Sequence, residues 1–209
     1  MKKLYLSLFC VCLFSFCRSQ NEEFTSFINE FHLTSPDFII DNSTFRELFS
    51  FNGQYKEIPL QAVNKYICFK PLCNDENIFR FDFGVLVDLE TEDFFAVIVR
   101  KLQFDELQGC DNDLSELLLI TYSIKGEKID IQQIGKDNDC WISHTKFFGN
   151  KILVQQIRIL EFNKPEMSCE IEVKKYQITQ NGAIDNIHSE PIRKGVVVWD
   201  EQIEEFRLK

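Results

Sequence analysis

Lys151-Ile152-Leu153-Val154-Gln155-Gln156-Ile157-Arg158-Ile159-Leu160-Glu161-Phe162, the turn Asn163-Lys164-Pro165-Glu166, and Met167-Ser168-Cys169-Glu170-Ile171-Glu172-Val173-Lys174-Lys175-Tyr176-Gln177-Ile178-Thr179 read as two strands and their connection. Apolar residues recur at every second position, the pattern of a strand with one buried side. The phase then slips. It runs Ile152, Val154 and changes to Ile157, Ile159 in the first strand. In the second it runs Cys169, Ile171, Val173 and changes to Tyr176, Ile178. Pairing about Pro165 sets the slip at Gln155-Gln156 against the slip at Lys174-Lys175. Side-chain direction alternates strictly along a strand, so the two halves of the hairpin bury opposite faces. The expectation is a bulge or sharp bend at the slips, with a separate packing surface on each side.

The flanking sequence extends this into a meander. Leu114 to Ile124 and Lys128 to Ile134 flank Lys125-Gly126-Glu127, another hairpin. Cys140 to Phe148 is a further strand. Phe94 to Val99 is continuously apolar and fits a central strand. Phe79, Phe81, Phe83, Val85 and Val87 alternate with Arg80, Asp82, Gly84, Leu86 and Asp88 and predict a strand with one buried face. Downstream, Asn181-Gly182 marks a tight hairpin. Val196 to Trp199 is a last strand, and residues 200–209 fit either a strand or a short helix.

Upstream the period is helical. Phe24, Phe27, Ile28 and Phe31 form an i, i+3, i+4, i+7 stripe, with Glu22 and Glu23 suited to a first turn. Thr44 and Glu47 resemble a capping box ahead of Phe45, Leu48 and Phe49, with Gly53 as a stop. Pro59 opens a third short helix carrying Val63, Tyr66 and Ile67. The fold class expected is α+β: short N-terminal helices over about 20–70, then a mostly antiparallel, strongly bent β-meander over about 76–200.

Residues 1–19 read as a secretory signal peptide. Lys2 and Lys3 precede an uncharged apolar run from Leu4 to Phe16, too short to span a bilayer. Cys17-Arg18-Ser19 offers small residues before a cut between Ser19 and Gln20, leaving a single domain over 20–209. A lipid anchor on Cys17 is the competing reading, disfavoured by the large Phe16 before it. The expected address is the periplasm or the extracellular space, with no transmembrane helix in the mature chain.

Losing Lys2, Lys3 and Arg18 takes the net charge from −10 to −13. Such a chain repels phosphate backbones, which argues against nucleic acid as a partner. The same cut leaves five of the eight cysteines: Cys68, Cys73, Cys110, Cys140 and Cys169. Export permits disulfides. Pairing about Gly126 brings Cys110 and Cys140 to one end of the sheet and makes them the disulfide candidate. Cys68 and Cys73 allow a local bridge, and Cys169 suits a core position.

The loops bearing Cys110 and Cys140 also bring together Asp111, Asp113, Asp137 and Asp139. Four carboxylates in two facing turns are the calcium candidate, since calcium takes six to eight oxygen ligands. Solvated acidic turns are the plainer reading. No other metal or cofactor is implied. Cys140 and His144 stand four apart, ~13 Å along a strand, too far for proton transfer. No nucleophile elbow, zinc helix, phosphate loop or dinucleotide loop is present. No catalytic residue is assigned.

Three stretches carry a resemblance: the exit at Ser19-Gln20, the opening Phe24-Thr25-Ser26-Phe27-Ile28-Asn29-Glu30-Phe31, and the hairpin Leu117 to Asp130 with its echo Tyr176 to Ile184. They are similar to uncharacterised secreted β-meander proteins of Bacteroidota. That resemblance implies an exported β-meander and no known activity. The functional expectation is a non-enzymatic binding module for an envelope or extracellular protein, acting through the exposed side of the meander. The alternatives are an inhibitor or immunity-type protein whose acidic surface binds a basic partner, and a hydrolase using His144 or His188 in an unrecognised site.

Overall fold

Lys151–Ile159 and Glu166–Ile178 pair as antiparallel strands, as expected, in a computed structural model that describes residues 22–51, 53–68, 79–103, 114–138, 140–161, 165–200 and 205–209. Two sheets dominate. The first holds β1 (His32–Thr34), β5 (Phe79–Val87), β6 (Phe94–Gln103), β7 (Leu114–Ser123) and β8 (Lys128–Asp137), in that spatial order. Its pairs are antiparallel apart from β1, which runs parallel to β5. The second runs β14 (Glu205–Leu208), β13 (Arg193–Asp200), β11 (Glu166–Ile178), β10 (Lys151–Ile159), β9 (Trp141–Phe148) and β2 (Ile39–Ile40). The strand β12 (Ile184–Ser189) shares the outer edge of β11 with β13.

The chain is therefore mostly β. The N-terminal part is only partly helical, so the α+β expectation holds in part: the antiparallel meander is there, with fewer and shorter helices ahead of it. A helical segment α1 covers residues 22–28, α2 is Asn42–Phe49, and α3 is Leu60–Ala62 running into a π-helical turn, Val63–Ile67. Short strands interleave with them: β1, β2, and the two-residue pair β3 (Ser50–Phe51) and β4 (Gln54–Tyr55). Strands of two or three residues are too short to display a period. The start of α2 also differs from expectation. Asp41, not Thr44, caps it: Thr44 N–H donates to Asp41 Oδ1 at 3.0 Å, and Asp41 N–H donates to Thr44 Oγ1 at 3.1 Å. This is a reciprocal capping box set three residues earlier than predicted.

Helices, first sheet and second sheet stack as three layers. Between helices and first sheet lie Phe24, Phe27, Ile28, Phe31, Val63, Tyr66 and Ile67 against Phe81, Phe83, Val97, Val99, Ile120 and Tyr122. The predicted α1 stripe is wholly buried. Phe27 stacks on Tyr66 at 4.6 Å between ring centroids, and Phe31 meets Phe83 edge-on at 5.0 Å. The π-turn ends with carbonyls that no helix bond uses. Tyr122 Oη–H donates to Tyr66 O at 2.8 Å and Lys128 Nζ donates to Ile67 O, which seats the helical layer on the sheet. Burial pushes the Tyr122 phenol well above its ordinary range and pulls the Lys128 ammonium down to about 8.

β5 departs from the one-face expectation. Phe81 and Phe83 face the helices, whereas Val85 and Val87 face the second sheet. The register with β6 shifts between Asp82 and Val85, so one extra residue reverses the phase. Gly84 lies in this bulge under Phe49 of α2, where a Cβ would come 2.4 Å from the ring and 2.3 Å from Ile98 O.

The hairpin β10–β11 keeps the predicted exchange of faces without the predicted bulge between its strands. Its register is unbroken from Lys151↔Gln177 to Ile159↔Cys169. Gln155 stands opposite Val173 and Val154 opposite Lys174, so the two slips are staggered. The irregularity is on the other edge of β11, where pairing with β12 shifts between Lys175 and Tyr176. Ile152, Val154, Tyr176 and Ile178 pack toward the first sheet. Ile157, Ile159, Cys169, Ile171 and Val173 join Ile142, Met167 and Val197 in a separate core on the opposite face. All eight of these residues come from the second sheet, which curls around that face.

The two sheets are joined at a corner. Ser143 Oγ bonds Lys136 N–H and Lys136 O, and Thr145 Oγ1 donates to Ile134 O at 2.5 Å. Side chains of β9 thus satisfy the open edge of β8, which would otherwise invite pairing with another chain. At the far end, the hairpin at Gly182 docks on β7: Thr121 Oγ1 donates to Gly182 O at 2.6 Å, and Ile184 N–H donates to Asp130 Oδ2 at 2.8 Å.

Candidate functional site

The residues singled out from the sequence do not assemble into a catalytic or metal site among the described residues. Asp111, Asp113, Asp139 and Cys110 lie outside those residues, as do Cys17, Ser19 and Gln20. Asp137 is at the end of β8 opposite Ser115, in the wall of a cavity of about 10 Å³ that it shares with Lys136. No cluster of three or more His, Cys, Asp or Glu side chains able to hold a metal occurs among the described residues. No disulfide joins two described cysteines. Cys68 and Cys140 are nonetheless not free thiols, and the Cys110–Cys140 pairing stays an expectation. Cys169 is a free, buried thiol whose pKa burial pushes up.

Sequence reading missed a buried charge cluster. Asp82 is 0 % exposed. Its Oδ2 lies 3.2 Å from Arg100 Nη1 and its Oδ1 lies 3.0 Å from Arg80 Nε. Arg100 Nε donates to Ser115 Oγ at 2.9 Å, and its guanidinium lies 4.2 Å from the Tyr55 ring centroid. Arg100 binds its neighbours on three other strands, whereas Arg80 and Asp82 both belong to β5, and the facing Arg80 Nε and Asp82 Oδ1 form an ion pair without hydrogen-bond geometry. The role of the cluster is to tie β4, β5, β6 and β7 together at the β5 bulge. Arg80 also reaches the edge of an open cleft of about 180 Å³, where it meets Glu57 and the apolar Ile58, Leu60, Val63, Phe79 and Phe81.

The exchange of faces in β10–β11 creates a different feature. Where Ile152 and Val154 turn inward, their neighbours on the strand turn outward, away from the first sheet. Directly paired residues share a face. Ile39 of β2 pairs with Lys146 of β9, Lys146 with Leu153 of β10, Leu153 with Lys175 of β11, and Lys175 with His188 of β12. A row of five side chains thus crosses five strands in the order apolar, basic, apolar, basic, imidazole. In the adjoining row Phe148 pairs with Lys151. Phe148 is 49 % exposed, and Lys146 Nζ lies 4.8 Å from its ring centroid.

This face carries three exposed lysines among apolar side chains, with the exposed Asp185 of β12 at the end of the Phe148–Lys151–Gln177 row, on a chain whose net charge is −10. Lys146, Lys151 and Lys175 are exposed, Leu153 is half-buried, and Ile39 is 40 % exposed. Of the two histidines considered for catalysis, His188 ends the row and His144 pairs with Gln155 beside it. The signal for the row lay in the sequence: an outward phase follows from any inward one, and the turn sets the register. Only the exact register, and the arrival of β2 and β12 at either end, were out of reach. No protein-family model matches the chain, and neither does any curated protein or solved structure.

Proposed function

We propose that the chain is an exported binding module that engages another protein through the outward face of β2, β9, β10, β11 and β12. One observation carries the reading. Three exposed lysines and the exposed Ile39 and Phe148 converge on this face around Leu153, whose buried part packs against the margin of the curled core. Isolated exposed apolar residues need no explanation, but an ordered row of apolar and basic side chains across five strands marks an interaction site. The N-terminal signal supports the exported address. Aromatic and cationic side chains side by side, as at Phe148 and Lys146, are the residue types enriched at protein interfaces.

A photo-crosslinking amino acid at position 148, in cells of the native host, tests this directly. A discrete protein adduct from position 148 and none from position 23, on the helical side, is the expected result. Equal adducts from both positions, or none from position 148, would overturn the reading.

A further inference from the structure

We propose that the row Lys146–Leu153–Lys175 docks an extended acidic polypeptide segment, with two carboxylates three residues apart and an apolar side chain between them. This rests on the binding face above and names the chemistry of its partner.

Three observations select that occupant. The first is spacing. Neighbouring strands lie about 4.8 Å apart, so Lys146 on β9 and Lys175 on β11 stand about 10 Å apart across the sheet. In an extended polyproline-II segment, residues i and i+3 point the same way about 9 Å apart. A segment crossing the strands thus meets one lysine with each carboxylate. The second is the residue between. Leu153 pairs directly with both Lys146 and Lys175; its buried part packs on the margin of the curled core, and the remainder presents apolar surface at the midpoint of the pair. His188 beyond Lys175 and Ile39 beyond Lys146 extend the contact at each end.

The third is charge. Lysines 146, 151 and 175 outnumber the one acid on the neighbouring row, Asp185, and make a local positive field on a chain of net charge −10. Beyond about 8 Å, salt screens the distant acids, and the nearest charges decide. A long polyanion such as nucleic acid still lays its charge over the acidic remainder of the surface and is repelled. A short segment with a few carboxylates among apolar residues touches only the basic row. The same logic disfavours a second copy, since the whole acidic surface approaches with it.

The test uses the mature protein and a fluorescent twelve-residue peptide of four Glu-Leu-Pro repeats, with four Lys-Leu-Pro repeats as its counterpart. Anisotropy is expected to show the acidic peptide binding at least tenfold more tightly than the basic one, and weakening as salt rises. The variant K146E/K175E is expected to lose at least tenfold for the acidic peptide and to gain for the basic one. K146Q/K175Q, which carries no new charge, is expected to lose without the gain. Circular dichroism checks that both variants fold. Equal binding of the two peptides, no binding of either, or undiminished binding by K146E/K175E would overturn the proposal. So would a dimer, seen in sedimentation, that these substitutions dissolve, because the occupant is then a second copy. If position 148 still crosslinks to a protein while the acidic peptide fails, the binding face stands and the acidic segment falls. If both fail, the face falls too.

Discussion

Asp82 on β5 holds Arg100 on β6 at 3.2 Å, and the carboxylate has no exposure to solvent. The pair sits where β5 bulges, so it fixes the strand at the point where its buried face changes sides. Buried ions are stable only with complete partners, and removing one leaves the other uncompensated. Asp82→Asn is expected to cost about 3 kcal/mol of unfolding free energy. Urea melts of the variant, read by tryptophan fluorescence, measure it. A loss below about 1 kcal/mol would show that Ser115 and the Tyr55 ring suffice to hold Arg100.

Gly84 is the other half of that bulge. A methyl group there meets a backbone oxygen, Ile98 O, as well as the flexible ring of Phe49. Overpacking a core position costs about 1–3 kcal/mol, more when backbone must move. Gly84→Ala is expected at the upper end of that range. Phe49→Leu in the same chain is expected not to restore stability, because the carbonyl remains in the way. Restoration would mean that the ring alone forbids the side chain.

How much of this was legible depends on the length of each element. The long strands β5 to β11 announced themselves, most by period two and β6 by its unbroken apolar run, and the swap of faces in Lys151–Ile178 followed from the same period. The α1 stripe was equally plain, because Phe24, Phe27, Ile28 and Phe31 keep helical spacing, although the helix itself ends at residue 28 and Phe31 is buried from the turn beyond it. What escaped was short or tertiary. β1 and β2 have three and two residues and borrow their conformation from partners far along the chain. The bulge in β5 was hidden because Phe83 and Val85 share a parity yet face opposite ways, which only the opposing strand reveals. The basic row was half legible, since Leu153 points away from Ile152 by rule, but Lys175 and Lys146 join it only once the register is known.

Lys128 links pH to stability. Its pKa falls from 10.5 to about 8 on folding because burial penalises the ammonium. Between those values the unfolded chain binds more protons than the folded one, so stability rises with pH through that window. Solvent screening of a half-buried group leaves about 1 kcal/mol of this. Wild type is expected to gain that much over Lys128→Met between pH 7.5 and 9.5, in paired urea melts. Parallel curves would mean that Lys128 keeps its ordinary pKa. The loss of the bond to Ile67 O lowers the variant equally at both pH values.

The cysteines divide by environment. Cys169 is packed against Ile171 and Gly195 in the curled core, with its thiol pKa raised by burial. A thiol reagent at pH 8 is expected to leave it unmodified until the protein unfolds. Non-reducing peptide mapping is expected to recover Cys110 joined to Cys140, closing a loop of about 30 residues that contributes about 3 kcal/mol. Free Cys110 and Cys140 in the same map would sink that pairing.

The exchange of faces along β10 makes a sharper demand than any single substitution. The ladder with β11 is continuous, so parity alone assigns each side chain. Serine placed in turn at each position from 152 to 159 is expected to cost about 2–4 kcal/mol at Ile152, Val154, Ile157 and Ile159, where a buried apolar side chain is lost. Gln155, Gln156 and Arg158 are expected to lie within about 0.5 kcal/mol of wild type. Leu153, half-buried on the outward face, is expected near 1 kcal/mol. The costly positions are thus even before Gln155 and odd after Gln156. A profile that stayed on one parity throughout would place the whole strand on one core and remove the outward row on which the binding face depends. The predicted profile instead makes Leu153, which pairs with both Lys146 and Lys175, a minor contributor to the fold, so that its exposed part is free to serve a partner.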